Sequence, residues 1–332
     1  MRYPVLLAAA LVLLALPVVA AARLQVAVSV PPQAHLVERI GGDRVDVSVM
    51  IGSGGSPHTF SLAPRDLQAL DAARVYFRVG HPDLAFERRF LRHLEEHGQG
   101  VVTVSLAQDE TFRPMDAPNY AHEDHGPDEA HGHDAGRHEQ AENNGHADDD
   151  HEANHEHGAA GEHGGHGEHG ETDPHVWVSP AVMRRAAARV ADALIEADPE
   201  GEQAYRERLA AVEAAIDDLD ARIRSLLGDL EQRRFVVNHP GWGYFADAYD
   251  LEQVAIESGG RDPSPRELAR FIDRARSEDV QTVFVQQGFS ERSARTIADA
   301  LGARVVTADP LARDWEENLL AFAEALQEAL QR

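Results

Sequence analysis

A chain of 332 residues, 43% of them hydrophobic, is long enough for two domains that each bury a core. Its net charge of −26 argues against nucleic acid and anionic lipid as partners. It contains no cysteine, so no disulfide staples the fold and no lipid-modified cysteine tethers it to a membrane.

In chain order, Met1-Arg2 and the apolar run PVLLAAALVLLALPVVA, with small residues at Ala20 and Ala22, predict a cleavable export signal over 1–22. LQVAVSV (24–30) and VDVSVMI (45–51) predict strands, separated by a helix that starts at a proline pair and stops at a glycine pair. A glycine-rich loop, GSGGSPHTF, leads into a helix from Pro64. The strand RVYFRVG, the amphipathic helix DLAFERRFLRHLEEHG and the strand VVTVSL follow. Such alternation predicts a parallel sheet covered on both faces.

The pattern breaks at 116. Between Asp116 and Asp173 there are 17 acidic residues, one arginine and almost no aliphatic side chain beyond alanine. This composition cannot bury enough apolar area to offset chain entropy, so 116–171 is expected to be a disordered insertion. Order resumes with DPHVWVSP, a helix over 181–197 and a long helix from Pro199 to about Leu227, predicted to be a rigid rod between domains. Strands RRFVVNH, LEQVAIE, VQTVFVQ and ARVVTA then alternate with four more helices. The expected architecture is α/β: two Rossmann-like lobes joined by one long rigid helix. Its divisions are an N-terminal lobe over 23–115 completed by 172–198, a linking helix over 199–228 and a C-terminal lobe over 229–332.

Of 19 histidines, 12 lie in the insertion: His122, His125, His131, His133, His138, His146, His151, His155, His157, His163, His166 and His169. Three others follow strands or sit beside helix starts, where ligand sites of open α/β sheets gather: His58 in PHTF, His175 in DPHVW and His239 in NHPGW. Asp309, in ADPL, also follows a strand, although Asp-Pro commonly starts an ordinary turn. His81 follows a strand with weaker support, while His35, His93 and His97 lie on helices among charged neighbours, as surface histidines do.

The segments GGDRVDVSVMIGSGGSPHTFSLAPRDL, DPHVWVSP, NHPGWGYFADAYDLEQVAIE, VFVQQGFSERSARTIADALGARVV and ADPL resemble the periplasmic zinc-binding receptors of high-affinity zinc ABC transporters. These form part of the metal-binding, TroA-like (cluster A-I) family of solute receptors, and the similarity covers nearly everything after the signal. The resemblance implies a metal cleft between the lobes, with Zn(II) held by His58, His175 and His239 and a fourth ligand from Asp309 or water. It also implies delivery to an ABC permease. Two departures stand out: Gln286-Gln287 where many relatives carry Glu-Pro, and NHPGWGYF in place of a commoner variant that keeps the histidine.

Three imidazoles and a carboxylate suit zinc, whereas manganese takes more oxygen ligands. The manganese receptors of the family generally carry a carboxylate where His239 stands, so this residue decides for zinc. The insertion histidines are expected to bind metal weakly as an auxiliary collector or sensor, because each binding event must order the chain. A zinc hydrolase is a rival, but the one HExxH match, HEANH (151–155), lies in the insertion expected to be disordered and not on a helix as such a site requires, and a closed fourth position leaves no site for an activated water. A periplasmic zinc buffer leaves the two lobes unexplained, and a receptor for manganese or nickel is the remaining alternative. The expected protein is a non-enzymatic, monomeric periplasmic receptor.

Overall fold

The computed structural model describes residues 22–52, 60, 63–98, 100–115, 172–257, 261, 263–286 and 291–331. Among them the predicted alternation gives two four-stranded sheets in which every pairing is parallel. The first contains β1 (Leu24–Val28), β2 (Val45–Val49), β3 (Val75–Arg78) and β4 (Val102–Ser105) in the order β2-β1-β3-β4. The second contains β5 (Arg234–Val237), β6 (Glu252–Ala255), β7 (Thr282–Val285) and β8 (Arg304–Thr307) in the order β6-β5-β7-β8. Both lobes thus use one topology. In each sheet the order of winding reverses between its first and third strands, which stay parallel, and the crevice at the carboxyl ends of such a pair is where open α/β sheets bind ligands.

The helices are α1 (Pro31–Gly41), α2 (Pro64–Ala72), α3 (Ala85–His97), α4 (Pro180–Ala197), α5 (Glu202–Leu227), α6 (Gly243–Ala248), α7 (Pro265–Ser277), α8 (Arg292–Leu301) and α9 (Trp315–Leu330). Proline opens α1, α2, α4 and α7, where its missing N–H costs no helical bond. The rod α5 has 26 residues, about 39 Å at 1.5 Å per residue. Its buried residues Tyr205, Val212, Ile216, Leu219, Ile223 and Leu227 form one stripe at helical spacing. It starts at Glu202 rather than Pro199, because Pro199–Gly201 forms a 3-10 turn. At Gly201 a Cβ would lie 2.4 Å from the Tyr205 ring, so a glycine is needed where the turn meets the rod.

One apolar cluster runs from Val26, Val28 and Phe77 through α4 and α5 to Phe235, Phe284 and Phe322 of the second lobe. A smaller one, with Val254, Phe271 and Ile297, covers the remaining face of the second sheet. Since interiors are close-packed, a core shared between lobes resists wide hinge opening. Straps add to this on one flank: Glu316 of α9 bonds Arg39 of α1, and Arg313 bonds Glu38.

Inside the first lobe, buried Glu87 of α3 ties two strand ends together. It accepts bonds from the Ser29 hydroxyl (2.6 Å) and from the N–H groups of Val79 (2.6 Å) and Gly80 (2.9 Å). Gly80 has φ +92°, and a Cβ there would overlap the Ser105 hydroxyl. Among the described residues no helix is long and apolar enough to cross a membrane.

Candidate metal centre

His175 follows the segment that rejoins the first lobe after the insertion, and His239 follows β5 of the second lobe. The fold brings them face to face. Their Nε2 atoms are 3.2 Å apart, the rings cross at 76°, and the two residues are only 1% and 4% exposed.

Each imidazole is oriented by a buried carboxylate at its other nitrogen. His175 Nδ1 lies 2.7 Å from Asp173 Oδ1, which also accepts the His175 N–H at 2.9 Å. His239 Nδ1 is hydrogen-bonded to Glu257 Oε1. A carboxylate only accepts, so both Nδ1 atoms carry a proton, and in the neutral rings both Nε2 atoms present lone pairs. Two lone pairs facing each other repel until a cation lies between them. With metal–nitrogen distances of about 2.0–2.1 Å, a tetrahedral ion holds two ligand nitrogens about 3.3–3.4 Å apart, close to the observed spacing. Carboxylate–histidine–metal triads of this kind fix ring orientation and raise ligand basicity.

Burial lowers the pKa of His239, reinforced by the neighbouring His175 and opposed by Glu257 and Asp173. For Asp173, burial opposes ionisation, yet the bonds and charge from His175 and the Arg113 guanidinium hold its pKa below the ordinary value. The first effect favours the neutral, metal-binding form of His239, and the second the ionised form of the Asp173 carboxylate behind His175.

The packing around the pair is tight. A Cβ at Gly241 would meet Pro310 Cγ at 3.0 Å, His239 Cδ2 at 3.4 Å and His175 Cδ2 at 3.6 Å. Trp177 lies edge-on to His175 with centroids 5.3 Å apart, and its indole N–H donates to Pro310 O at 2.8 Å. In return, the Trp315 indole N–H donates to Trp177 O at 2.7 Å, so this turn is bonded to the second lobe twice.

Asp309 directly precedes Pro310 and is half-buried, which raises its pKa. Its Oδ1 accepts the Leu311 N–H at 3.0 Å, an ordinary turn bond. Among the described residues, no three His, Cys, Asp or Glu side chains are grouped so as to hold a metal ion, so Asp309 is not grouped with the two histidines. His58 lies outside the described residues, as do Gln287, residues 1–21 of the predicted signal and the 12 insertion histidines.

The remaining histidines have local roles. His81 is buried, edge-on to Phe112 at 4.3 Å, and its Nδ1 accepts the Asp83 N–H at 3.1 Å. That bond puts the proton on Nε2, so His81 offers a donor there and not a lone pair for metal. His35 contacts Glu316 and Trp315, His93 pairs with Asp71 at 2.8 Å, and His97 stacks on His93 at the surface.

Sequence reasoning missed Asp173 and Glu257. A signal existed for Glu257. β5 pairs with β6 so that Val237 lies beside Ala255, and carrying that register two residues on puts His239 beside Glu257. Asp173 lies two residues before His175, the spacing at which an Asx side chain turns back on its own backbone.

A family model described as "Zinc-uptake complex component A periplasmic" matches residues 26–331. The chain is 26% identical over 162 residues to the high-affinity zinc uptake system protein ZnuA of Bacillus subtilis, a match spanning 47% of this chain and 51% of that protein. A crystal structure of a zinc-bound ZnuA deletion mutant superposes with a TM-score of 0.73 at 32% identity, covering 94% of this chain and 99% of that one. A second ZnuA crystal structure gives 0.74 at 32% identity, covering 93% and 100%.

Proposed function

Because the chain belongs to the family of the periplasmic zinc-uptake complex component A, we propose that it captures Zn(II) between its lobes and delivers it to an ABC permease, without chemistry. The observation that carries this reading is the facing pair of carboxylate-oriented imidazoles, His175 and His239, one from each lobe, at the spacing of a tetrahedral ion's edge. His58 completes a three-imidazole set. Asp309, which precedes the Pro310 that packs near the pair, supplies the fourth ligand by leaving its bond to the Leu311 N–H. Neutral imidazoles are the ligands, so protons compete with zinc.

The chain is exported by its first 22 residues and works in the periplasm as a monomer, with its insertion collecting zinc weakly as an auxiliary. Residues 23–115 with 172–198 form one lobe and 229–332 the other, with 199–228 as the link. The shared core and interlobe bonds favour zinc release by small shifts of loops or lobes over a wide hinge motion.

Uptake of radioactive zinc by cells that depend on this receptor tests the reading. The parent chain restores uptake at limiting zinc, and His175→Ala with His239→Ala abolishes it. Unimpaired zinc uptake by the double variant would refute the proposal.

A further inference from the structure

The carboxylate behind His175 has a second partner. Asp173 is fully buried, and while its Oδ1 serves His175, its Oδ2 accepts from Arg113 Nη1 at 3.2 Å. The same guanidinium crosses to the second lobe, where Nε donates to Asp247 Oδ2 of α6 at 2.9 Å. The backbone joins in. Arg113 N–H donates to the Tyr244 hydroxyl at 3.1 Å, and that hydroxyl donates to Asp173 O at 3.0 Å. α6 begins at Gly243, four residues after His239. A continuous set of bonds therefore runs from His175 through Asp173 and Arg113 to the helix that follows His239.

Gly243 shows that the guanidinium occupies a fitted place. A Cβ on that residue would lie 1.8 Å from Arg113 Nη1 and 2.7 Å from Asp173 Oδ2. Glycine opens α6 here so that the arginine can pass beneath it. The two ends of this bridge differ in accessibility. The Asp173 end is sealed, whereas Asp247 is 57% exposed at the surface of the second lobe.

We propose that Arg113 is a positioning residue for zinc: it latches the two lobes across the site and sets how long the ion stays bound. The inference rests on zinc being held by His175 and His239. The latch keeps the two imidazoles at their mutual spacing by fixing the carboxylate of one against the helix that carries the other. Its exposed Asp247 end is the part that a docking partner reaches without entering the site. Breaking a hydrogen-bonded charge pair that holds a closed arrangement acts mainly on the rate of release. Lysine cannot replace this arginine, since a single ammonium does not span two carboxylates as the planar fork does.

The test is zinc release from the full chain loaded with one equivalent, followed with an excess of chromophoric chelator, for the parent, Arg113→Ala, Arg113→Lys and Asp247→Ala. The slowest phase is expected to accelerate about tenfold or more in Arg113→Ala and about threefold in Asp247→Ala, with Arg113→Lys between them. Asp247→Ala removes an exposed side chain, so its metal-free melting temperature should match the parent's and separate a latch from general destabilisation. The Co(II)-loaded Arg113→Ala protein should show an altered ligand-field spectrum as the His175 ring turns. Release from both alanine variants within twofold of the parent, with an unchanged Co(II) spectrum, would overturn the latch. A parent with no slow phase at all would overturn the two-histidine site itself, and the latch with it.

Discussion

Replacing Glu257 with glutamine separates what the site does for zinc from what it does for the fold. Glu257 is 4% exposed and hydrogen-bonded through Oε1 to His239 Nδ1. A glutamine carbonyl accepts the same N–H, so tautomer and ring orientation persist while the charge behind the imidazole disappears. Losing an outer partner of this kind costs about 10–100-fold in metal affinity, or about 1.4–2.7 kcal/mol. The metal-free protein should change by less than about 1 kcal/mol, because the smaller desolvation cost of a neutral amide offsets the weaker hydrogen bond. Competition with a chromophoric chelator gives the affinity, and urea unfolding without metal gives the stability. Affinity within threefold of the parent would refute the triad reasoning. So would an affinity loss matched by an equal loss of metal-free stability, which would reduce Glu257 to a packing residue.

Two further outcomes follow from buried titratable groups. His239 has a folded pKa below its ordinary 6.5, so on acidification the unfolded chain gains the proton before the folded one. Metal-free stability is therefore fully retained above pH 6.5 and declines as the pH falls from there toward the folded value. Urea melts at pH 7.5, 6.5 and 5.5 should show this decline, and His239→Ala should show less of it. An equal decline in both would contradict the assignment. Zinc affinity should likewise weaken toward pH 5, and a flat titration between pH 7.5 and pH 5 would contradict imidazole ligation. For Glu87→Gln, three donors meet an amide that offers one acceptor oxygen, leaving a buried N–H unpaired at a cost of about 1–3 kcal/mol. Urea unfolding checks this, and a change below about 0.5 kcal/mol would contradict the role of Glu87 as a tie between strand ends.

Much of the architecture was legible because α/β alternation is written in periodicity. Apolar runs such as VYFR and TVFV stand between amphipathic helices, and prolines mark the starts of α1, α2, α4 and α7. The meeting of His175 and His239 was legible only through the resemblance to zinc receptors, since 64 residues separate them and no local pattern states that the lobes face each other. Asp173, Glu257 and Arg113 were harder still. Their roles depend on which strand lies beside which and on where a side chain crosses between lobes, and hydrophobic spacing carries neither. His81 shows the opposite limit: a histidine placed after a strand, like a ligand, whose ring nitrogen is committed to the Asp83 N–H.

The central claim is that the transport site lies between the lobes and not in the histidine-rich insertion. The insertion's flanks meet, with Asp173 N–H donating to Arg113 O at 2.9 Å and Pro114 bridging to Thr172, so removing 116–171 leaves ends that a short turn can join. The most direct measurement is zinc stoichiometry, with competition by manganese, on the chain lacking 116–171 and on its His239→Ala variant. One tightly held zinc that manganese does not displace, lost in the variant, is the predicted result. A protein that holds no zinc tightly once 116–171 is removed would contradict the account and move the site into the insertion.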